Sequence, residues 1–587
     1  MTIDLNETLK QGISAHQAGD LEAASAAYRQ ILKAVPDHAD ALHLSGLIAF
    51  QAGDYQQAIE QITRAISHDD KVPLYHANLG RVYKASGDDI AAVRAFRVAV
   101  QLEPDNALLQ ADLASALLGA GDADGARKHA GLALERSPAL AEAHLNYGLA
   151  VQALNGAADQ EALEAFHRAL AINPELAGAY LGLGIALHEQ GDGAGAAAAY
   201  HQALKRNPEF VEAHCNLGNL ECDAMNFAGA VQHYQIALRL QADQPVVLGN
   251  LGVALQEAGR LKEAIDAYDK AVALDPEAPE TRRNRAMALL AAGRFADGWA
   301  DYEYRWQTPR FKRLARNWPV PVWDGRDLKD KRVLVHAEQG LGDTLQFCRY
   351  LPLISDMGAT VTVECADSLK PLIETMPCVQ AVIHPGDDLP TLDFHVPLMS
   401  LPGLFDTTLE TIPASVPYVT APAVAMDKWR AISASWPEGI RVGIAWCGSA
   451  DHPRDAIRSP GLAPFLALAA VPGVALISLQ KEGGTADIAT LSGADKIIDP
   501  TAKIVDFGDT AALMRHLDIV VSCDSAPLHL AGALGVKTYA VLPHVAEWRW
   551  GTEGQRSPWY PSMTLMRQPN FGDWDTVFSQ LVDILGQ

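Results

Sequence analysis

The segment DIVVSCDSAPLHLAGALGVKTYAVL, residues 518–542, reads as a strand, a turn, a helix and a second strand. Asp518–Ser522 is a short β-branched run without helical periodicity, which indicates a buried strand. The remaining three parts are a turn, an Ala/Leu-rich helix ended by a glycine, and a strand, at residues 523–525, 526–534 and 537–542. We therefore predict a βαβ unit whose helix begins directly at the carboxyl end of a buried strand.

The start of this helix is a candidate anion site. A helix N-terminus presents unpaired N–H groups and the positive end of the helix dipole, which suits a phosphate. Asp524 and Ser525 suit the N-cap, and His529 lies one turn further on, where it adds a donor. Simple capping by Asp524 and a helix-surface position for His529 explain the same residues, so both interpretations stay open for the isolated segment.

Length and charge limit the possible functions. A chain of 587 residues is too long for one core and suits three or four domains, or a solenoid followed by a domain. The formal net charge is −24, with 71 acidic and 47 basic residues. Such a chain repels nucleic acid and anionic membrane surfaces on average, so we expect neither as a partner.

The cysteines and the first residues indicate the compartment. The seven cysteines are odd in number, scattered and never spaced as CxxC, which argues against a disulfide framework or a structural zinc and favours a reducing compartment. Residues 1–12 lack the basic and apolar parts of a signal peptide, and no run reaches the roughly 20 apolar residues of a membrane helix. We expect a cytoplasmic protein without membrane insertion and without a metal.

The N-terminal half repeats with a period of 34 residues. Small residues recur at this interval, with one interval of 36, at Gly12, Gly46, Gly80, Ala114, Gly148, Gly184, Gly218, Gly252 and Ala286. An alanine and then, in most repeats, a large residue follow, and Gly-Asp pairs such as Gly87-Asp88 lie between. This is the tetratricopeptide (TPR) pattern, in which each unit is two helices joined by a turn. We predict eight full repeats and a degenerate ninth.

Polar residues recur two positions before the small residue, on the first helix of each unit. A ladder of amides on the concave face can bind an extended peptide without reading its sequence, since each amide donates and accepts. Asparagine is also simply common at this position. The predicted groove residues are Asn78, Asp112, Asn146, Asn216, Asn250 and Asn284. A solenoid of this kind offers a binding surface rather than a catalytic pocket.

Short apolar strands alternate with helices from Arg332 onward. This alternation indicates parallel sheets covered on both faces, first through Phe394–Pro397 and again from Arg441–Trp446, with a Pro/Ala-rich crossover linker between them at 413–429. The natural architecture is two Rossmann-like halves facing a cleft, with ligands at the carboxyl ends of the strands.

Three turns carry candidate chemistry. The first is Gly340-Leu-Gly342-Asp343 after His336, where glycines let a ligand approach and Asp343 opens a helix. The second turn follows the strand that ends at Trp446. It offers small and basic residues, namely Gly448, Ser449, His452, Arg454 and Arg458. Arginines suit a phosphate or carboxylate. The third turn is the Asp524 turn described above. N-capping by Asp343 and a solvated loop are the alternatives for the first and second turns.

Gly340-Leu-Gly342 with Glu364 is also a partial dinucleotide fingerprint. Leu345 replaces its third glycine, and a nicotinamide enzyme would leave the second half of the chain without a role. We keep this as a rival interpretation.

The motifs HAEQGLGDTLQFCRYLPL (336–353), RVGIAWCGS (441–449), SCDSAPLHLAGALG (522–535) and SPWYPSM (557–563) resemble bacterial TPR-fused glycosyltransferases of the GT-B fold with a heptosyltransferase-like catalytic half. The overall layout is similar to O-linked N-acetylglucosamine transferases, and most similar to the TPR-fused flagellin glycosyltransferases of stalked alphaproteobacteria. The resemblance implies a metal-independent, inverting transferase that passes a nonulosonic acid such as pseudaminic acid from a CMP-activated donor to Ser/Thr of flagellin.

The resemblance also assigns roles. It implies that Asp343 is the catalytic base, with His336 as the second candidate, and that Asp524, Ser525 and His529 bind the donor's nucleotide phosphates. Arg458 is the nearest counterpart of a phosphate-binding lysine, although its type and spacing differ. The nucleotide sugar is the substrate, and no cofactor is expected. A scaffold with an inactive transferase-like half, or a transferase using another nucleotide sugar, remain alternatives.

The corresponding domains are a TPR superhelix (1–306), a linker (307–331), an N-terminal Rossmann-like half (332–425) and a nucleotide-sugar-binding half with a terminal helix (426–587).

Overall fold

Helices follow one another in antiparallel pairs through the N-terminal half. A computed structural model describes residues 4–452 and 454–587. Its first eighteen helices in the described chain are α1 Leu5–Gln17, α2 Leu21–Ala34, α3 Ala39–Gln51, α4 Tyr55–His68, α5 Pro73–Ala85, α6 Asp89–Leu102, α7 Ala107–Gly119, α8 Ala123–Arg136, α9 Ala141–Asn155, α10 Gln160–Ile172, α11 Ala177–Glu189, α12 Gly193–Arg206, α13 Val211–Asp223, α14 Phe227–Leu240, α15 Pro245–Glu257, α16 Leu261–Leu274, α17 Pro279–Ala291 and α18 Phe295–Tyr302.

The predicted Gly-Asp turns join the two helices of a pair. Gly87 has a φ of +82°, a left-handed conformation that glycine adopts without strain. The side chain of Asp88 then caps α6, accepting a hydrogen bond from the N–H of Ala91 at 2.8 Å. The turns at Gly19, Gly53, Gly121 and Gly191 have the same conformation. The sequence pattern thus dictates where each helix ends and the next begins.

The recurring small residue lies against the recurring large one. A Cβ added to Gly80 would lie 2.8 Å from Cε2 of Phe96, and one added to Gly252 would lie 2.5 Å from Cε1 of Tyr268. Both aromatic rings are buried. The glycine lets the two helices approach and the ring fills the space beside it, as the repeat pattern predicts.

The chain divides into two compact units, Met1–Ala242 and Asp243–Gln587. The first contains helices α1–α14. The second contains the last two helix pairs, α15–α18, together with the α/β region.

Two parallel sheets make up the α/β region. The first has the strands β1 Arg332–His336, β2 Thr360–Glu364, β3 Val379–Ile383 and β4 Phe394–Pro397 in the order β3-β2-β1-β4. Its register pairs Val333 with Val361 on one side and with Phe394 on the other. The short helices around it are α19 Pro309–Lys312, α20 Leu341–Phe347, α21 Leu351–Asp356, α22 Lys370–Ile373 and α23 Leu401–Leu404.

The second sheet has five strands in the order β6-β5-β7-β8-β9. They are β5 Ile440–Ala445, β6 Val474–Ser478, β7 Ile519–Cys523, β8 Thr538–Leu542 and β9 Met563–Arg567. The helices are α24 Ala423–Ser433, α25 Asp455–Arg458, α26 Asp487–Thr490, α27 Phe507–Met514, α28 Ala526–Ala533 and α29 Trp574–Leu585. An α-solenoid followed by two parallel α/β sheets, consistent with two Rossmann-like halves, confirms the predicted fold class.

Two segments differ from the prediction. The crossover predicted as linker over 413–429 contains the start of α24, whose Trp429 is fully buried and donates from Nε1 to Asp509. The strand β9 was not among the predicted elements, yet it pairs in register with β8 from Thr538 to Leu542. Each segment is held by residues that are distant in sequence, Asp509 for the helix and β8 for the strand. Local composition therefore did not reveal either element.

A continuous core joins the last helix pair to the α/β region. Phe295 and Trp299 of that pair pack edge-on against Trp548, and Phe295 stacks on Trp559. All four side chains are buried. The boundary predicted at residue 306 therefore crosses a hydrophobic core. Within residues 4–452 and 454–587, no helix has both the length and the apolar character needed to cross a bilayer.

Candidate functional site

The second sheet reverses its strand order between β5 and β7, which is where open α/β sheets bind ligands. β5 ends at Ala445 and β7 at Cys523, so the turns after them lie at the same edge of the sheet. These turns contain the predicted donor-binding residues Gly448 and Ser449 on one side and Asp524 and Ser525 on the other.

The Asp524 turn differs from the predicted N-cap. Ser525 is the N-cap residue of α28, but neither its side chain nor that of Asp524 caps the helix. Instead, Asp524 is 4% exposed and its Oδ2 accepts a hydrogen bond from Nε1 of Trp550 at 2.9 Å. Ser525 thus has the predicted N-cap position, whereas capping by Asp524 was wrong because the indole of Trp550 binds its carboxylate. Residues 525–527 remain partly exposed at the helix start.

His529 lies beside Asp524 as the one-turn spacing predicts. Its Nε2 is 3.7 Å from Oδ1 of Asp524, and its Nδ1 shares a 3.0 Å hydrogen bond with the hydroxyl of Tyr560. Burial raises the pKa of Asp524 to about 6, and Glu547 adds to this. Burial, with Arg549 nearby, holds the pKa of His529 well below its ordinary value, so its imidazole is neutral.

Arg549 connects the two halves. Its Nη2 is ion paired with Oδ1 of Asp343, its Nη1 with Oε2 of Glu547, and its Nε donates to Oε1 of Gln346 at 2.7 Å. We call these four residues the Arg549 cluster. Asp343 also accepts a hydrogen bond at Oδ2 from the N–H of Gly340 at 2.9 Å, which closes the first turn of α20. Both of its carboxylate oxygens are therefore engaged.

The environment acts differently on the two carboxyl groups of the cluster. Burial raises the pKa of Asp343, although Arg549 opposes the increase. Burial also raises the pKa of Glu547, but Arg549, Arg454 and His452 outweigh it and leave that pKa below its ordinary value. Glu547 is thus the more firmly ionised of the two.

The cationic loop after β5 reaches this cluster. Arg454 pairs with Glu257 of α15 at 3.1 Å and donates from Nη2 to the carbonyl of Val545 at 2.8 Å. Nε2 of His452 lies 3.9 Å from Oε1 of Glu547. Arg458 instead pairs within its own helix, Nε to Oδ1 of Asp455 at 3.1 Å.

Gly448 and Ser449 lie at the start of the same loop. The N–H of Gly448 donates to Oγ of Ser459 at 3.1 Å, and a Cβ added there would lie 2.3 Å from Nη2 of Arg458. Ser449 is exposed. A side chain at position 448 would therefore displace the Arg458 guanidinium from its place beside the loop.

A pocket of about 380 Å³ lies between the last repeats and this loop. We call it the groove-end pocket. Its walls come from α15 and α17, including Gln256, Glu257 and Asn284, and from the α/β region, including His452, Arg454, Glu547 and Trp548. The predicted groove residue Asn284 and the predicted donor-binding residue Arg454 therefore line one pocket.

Gly342 is a point of close approach between the halves. A Cβ added to it would lie 2.8 Å from Cδ2 of His529. The predicted glycine of the first turn thus accommodates a ring of the other half. Gly340 has more room, with Oδ2 of Asp343 at 3.3 Å from such an added atom.

His336, the second candidate base, lies apart from the Arg549 cluster. It is buried, shares a 3.1 Å hydrogen bond between its Nε2 and Nδ1 of His395, and packs under the ring of Trp318. Burial, with His395 and Arg316 beside it, lowers its pKa to about 3. Glu364, the acidic residue of the dinucleotide interpretation, is buried and ion paired with Arg316.

The predicted groove residues differ in burial and in partners. Asn78 and Asn146 are each 8% exposed and bind the preceding repeat: Asn78 Nδ2 lies 2.9 Å from Nε2 of His43, and Asn146 Nδ2 donates to the carbonyl of Ala111 at 3.0 Å. Asp112 pairs with Arg81 at 2.7 Å. The other three are partly exposed: Asn216, Asn250 and Asn284.

The tetratricopeptide repeat family matches residues 9–76, 44–107, 160–200 and 181–245, and a second tetratricopeptide repeat profile matches 245–277. The N-terminal half is a tetratricopeptide repeat solenoid. The chain is a TPR protein with a C-terminal α/β region whose two parallel sheets are compatible with a GT-B fold.

Similar proteins share parts of this chain. Protein FlbA of Caulobacter vibrioides is 26% identical over 320 residues, which are 49% of this chain and 52% of FlbA. The TPR repeat-containing thioredoxin TTL4 of Arabidopsis thaliana is 30% identical over 21% of this chain and 18% of its own. The chain thus spans about half the length of FlbA. A tetratricopeptide repeat protein structure from Parabacteroides merdae has 16% identity and a TM-score of 0.37, covering 43% of this chain and 98% of that one.

The residues that organise the site were not among the predicted site residues. They are Arg549, Trp550 and Glu257. Their partners are distant in sequence: 206 positions separate Arg549 from Asp343. The one local signal was the unusual segment Glu547-Trp-Arg-Trp550, in which two charged residues alternate with two tryptophans.

Proposed function

We propose that this protein is a protein O-glycosyltransferase that takes a polypeptide along its TPR groove and glycosylates Ser or Thr residues. The groove-end pocket carries the proposal, since repeat residues such as Asn284 and cationic-loop residues such as Arg454 line the same 380 Å³ space. A polypeptide in the last repeats would present its hydroxyl groups where a nucleotide sugar's phosphates would find cations.

The donor side of the proposal rests on charge and exposure. The start of α28 at residues 525–527 is partly exposed and offers a helix dipole to a phosphate. His452 and Arg454 supply donors from the neighbouring loop, and Arg458 lies behind Gly448. These groups would stabilise the charge that develops on a departing nucleotide phosphate.

The acceptor side needs a base for the hydroxyl proton. Asp343 is the residue that the family resemblance assigns, and such a base typically contributes about 10² to 10⁴-fold in rate. Because Arg549 and the N–H of Gly340 engage it, Asp343 would act only after substrate binding draws Arg549 away. His336 fits less well, since it is buried, is hydrogen bonded to His395 and has its pKa lowered to about 3.

The donor and the acceptor protein follow from the resemblance alone. We propose a CMP-activated nonulosonic acid and flagellin, respectively. The test is calorimetric titration of the full chain with CMP, UDP, ADP and NAD, followed by intact-mass analysis of flagellin from cells with and without this protein. CMP binding and a flagellin mass that drops by whole sugar units in the deletion strain are the expected results. Binding of UDP or ADP would indicate a different nucleotide-sugar donor. Binding of NAD would contradict the transferase proposal and favour an oxidoreductase.

A TPR scaffold with an inactive transferase-like half is the second candidate. The engaged state of Asp343 and the burial of Asp524 favour it, because neither carboxylate is free to meet a substrate. A chain that binds none of the four nucleotides but still captures flagellin in a pull-down would support the scaffold.

A further inference from the structure

A second cavity, of about 790 Å³, lies at the carboxyl ends of β1 and β4. The strand order β3-β2-β1-β4 reverses between these two strands, so the cavity occupies the topological switch point of the first sheet. We call it the tryptophan cavity. Its main lining residues are Trp299, Trp306, Trp318, Trp323, His336 and His395. No lining residue is shared with the groove-end pocket among the described residues that line either one.

The deeper walls offer apolar ring surface. Nε1 of Trp299 donates to the carbonyl of Thr407 at 2.9 Å, and Nε1 of Trp323 donates to the carbonyl of Arg326 at 2.8 Å. Since these indole N–H groups are already used, the two residues present only carbon surface to a ligand. Aromatic rings bind such surface in stacked or edge-on arrangements.

The floor is polar but neutral. His336 and His395 share a hydrogen bond, and the Trp318 ring lies over both, with centroid distances of 4.8 and 5.3 Å. Burial lowers the pKa of both imidazoles, so neither carries a charge at neutral pH. The floor can exchange hydrogen bonds with a ligand but does not attract an anion.

Two of the three charged side chains that line the cavity, Arg316 and Glu303, already have partners, and the third, Asp406, is exposed. Arg316 is ion paired with Glu364 and lies 4.2 Å above the ring of Trp318, and Glu303 pairs with Arg305 at 2.6 Å. An anionic ligand would meet the carboxylates of Glu303 and Asp406 and would compete with Glu364 for Arg316, whereas a neutral ligand would leave both pairs intact. The geometry therefore selects against negative charge.

We propose that the tryptophan cavity binds a small molecule built on aromatic rings and carrying no negative charge. The cavity volume falls within the range of about 300 to 1,000 Å³ that is typical of small-molecule sites. The proposal is independent of glycosyl transfer, because no residue of the Arg549 cluster lines this cavity and the described lining residues are all different from those of the groove-end pocket.

The test is saturation-transfer NMR and calorimetry on the full chain with four probes: indole, cyclohexanol, benzoate and the blocked tripeptide acetyl-Gly-Trp-Gly-amide. Indole is expected to bind at one site, at least tenfold more tightly than cyclohexanol or benzoate. Equal binding of cyclohexanol would overturn the aromatic preference, and tighter binding of benzoate would overturn the selection against negative charge. A tenfold preference for the tripeptide would assign the cavity to a protein side chain instead.

Variants locate the binding. Trp318→Ala removes the partly exposed ring over the floor and should weaken indole at least tenfold, while Trp574→Phe, outside the cavity, should change it less than twofold. Ala315→Trp fills the cavity from an exposed position without removing an existing ring, so it keeps the test valid if Trp318→Ala unfolds. Indole binding that survives in a folded Ala315→Trp protein at the wild-type level would overturn the proposal.

Discussion

Arg549 and Asp343 form an ion pair between the two α/β halves, although 206 positions separate them in the chain. Asp343 lies in the first turn of α20, and Arg549 lies just before the last strand of the second sheet. The pair links the residue that a transferase would use as its base to the half that would hold the donor. Any catalytic cycle has to break or shift this pair.

Replacing Arg549 by Met should destabilise the second unit strongly. Asp343 and Glu547 would lose their shared cation in a largely buried site, and breaking such a pair typically costs about 3 to 5 kcal/mol. Differential scanning calorimetry of the full chain would show it as a lower transition temperature. Arg430→Met, which removes an exposed pair with Asp427, is the control and should change stability by less than about 1 kcal/mol. A similar small effect at Arg549 would contradict the cluster's structural role.

Asp343→Asn should abolish most transfer and, because it removes the charge paired with Arg549, lower stability without preventing folding. The amide oxygen can still accept from Gly340, but the side chain no longer takes a proton, so turnover should fall about 10² to 10⁴-fold. Transfer is measured by intact mass of the acceptor, and the fold by circular dichroism. Asp575→Asn, an exposed residue of α29, is the control. Near-normal turnover in Asp343→Asn would remove the base assignment and direct attention to Glu547.

Gly342→Ala should loosen the contact between the halves. Its added Cβ would lie 2.8 Å from Cδ2 of the buried His529, and such overpacking costs about 1 to 3 kcal/mol. Gly249→Ala in α15 is the matched control, because its nearest neighbour would be Oγ1 of Thr281 at 3.4 Å. That change should stabilise the helix by about 0.5 to 1 kcal/mol. Opposite shifts of the calorimetric transition are the expected result, and equal shifts would argue against a rigid contact.

Glu338→Gln should change how stability depends on pH. Burial raises the pKa of Glu338 to about 7, although Arg305 opposes it, so the folded protein binds a proton more tightly than the unfolded chain does. Wild-type stability should therefore fall as pH rises from about 4.5 to 7, by up to roughly 3 kcal/mol from this group. The glutamine variant lacks this loss, so its stability relative to wild type should be higher at pH 8 than at pH 5. The measurement is the unfolding temperature of both proteins at pH 5 and pH 8. A difference between variant and wild type that is the same at both pH values would contradict this prediction.

The buried and the partly exposed groove asparagines should respond differently to alanine. Asn146→Ala removes a buried bond to the carbonyl of Ala111 and should destabilise the first unit by about 1 kcal/mol. Asn216→Ala changes a partly exposed residue and should leave stability within about 0.5 kcal/mol while weakening acceptor binding. Thermal unfolding and binding of an acceptor peptide by fluorescence anisotropy measure the two effects. Unchanged peptide affinity in Asn216→Ala would remove it from the groove.

Periodicity carried most of the fold. The 34-residue repeat predicted the helix pairs and their turns, and short apolar runs predicted the first sheet from Arg332 to its strand at Phe394–Pro397. These features depend on residues close together in the chain, where spacing is visible. The predicted turns also brought Asp524 and His529 together, because one helical turn separates them.

The rest of the site depends on contacts that spacing does not encode. Nothing local indicates that Trp550 binds the Asp524 carboxylate or that Arg549 neutralises Asp343. His336 was predicted near the base because it ends a strand just before the glycine turn. Its ring instead packs against His395 and Trp318 in another cavity. Which side of a sheet edge a side chain faces is decided by tertiary packing.

The core that Phe295 and Trp299 share with Trp548 and Trp559 has a practical consequence for dividing the protein. A fragment starting at residue 307 would lack the rings of Phe295 and Trp299, which cover the tryptophans of the α/β region. It would expose an apolar surface to water. A fragment starting near residue 243 would retain that cover. The final two helix pairs therefore belong to the same folding unit as the α/β region. Expression of the fragment that starts at residue 307 should yield aggregates.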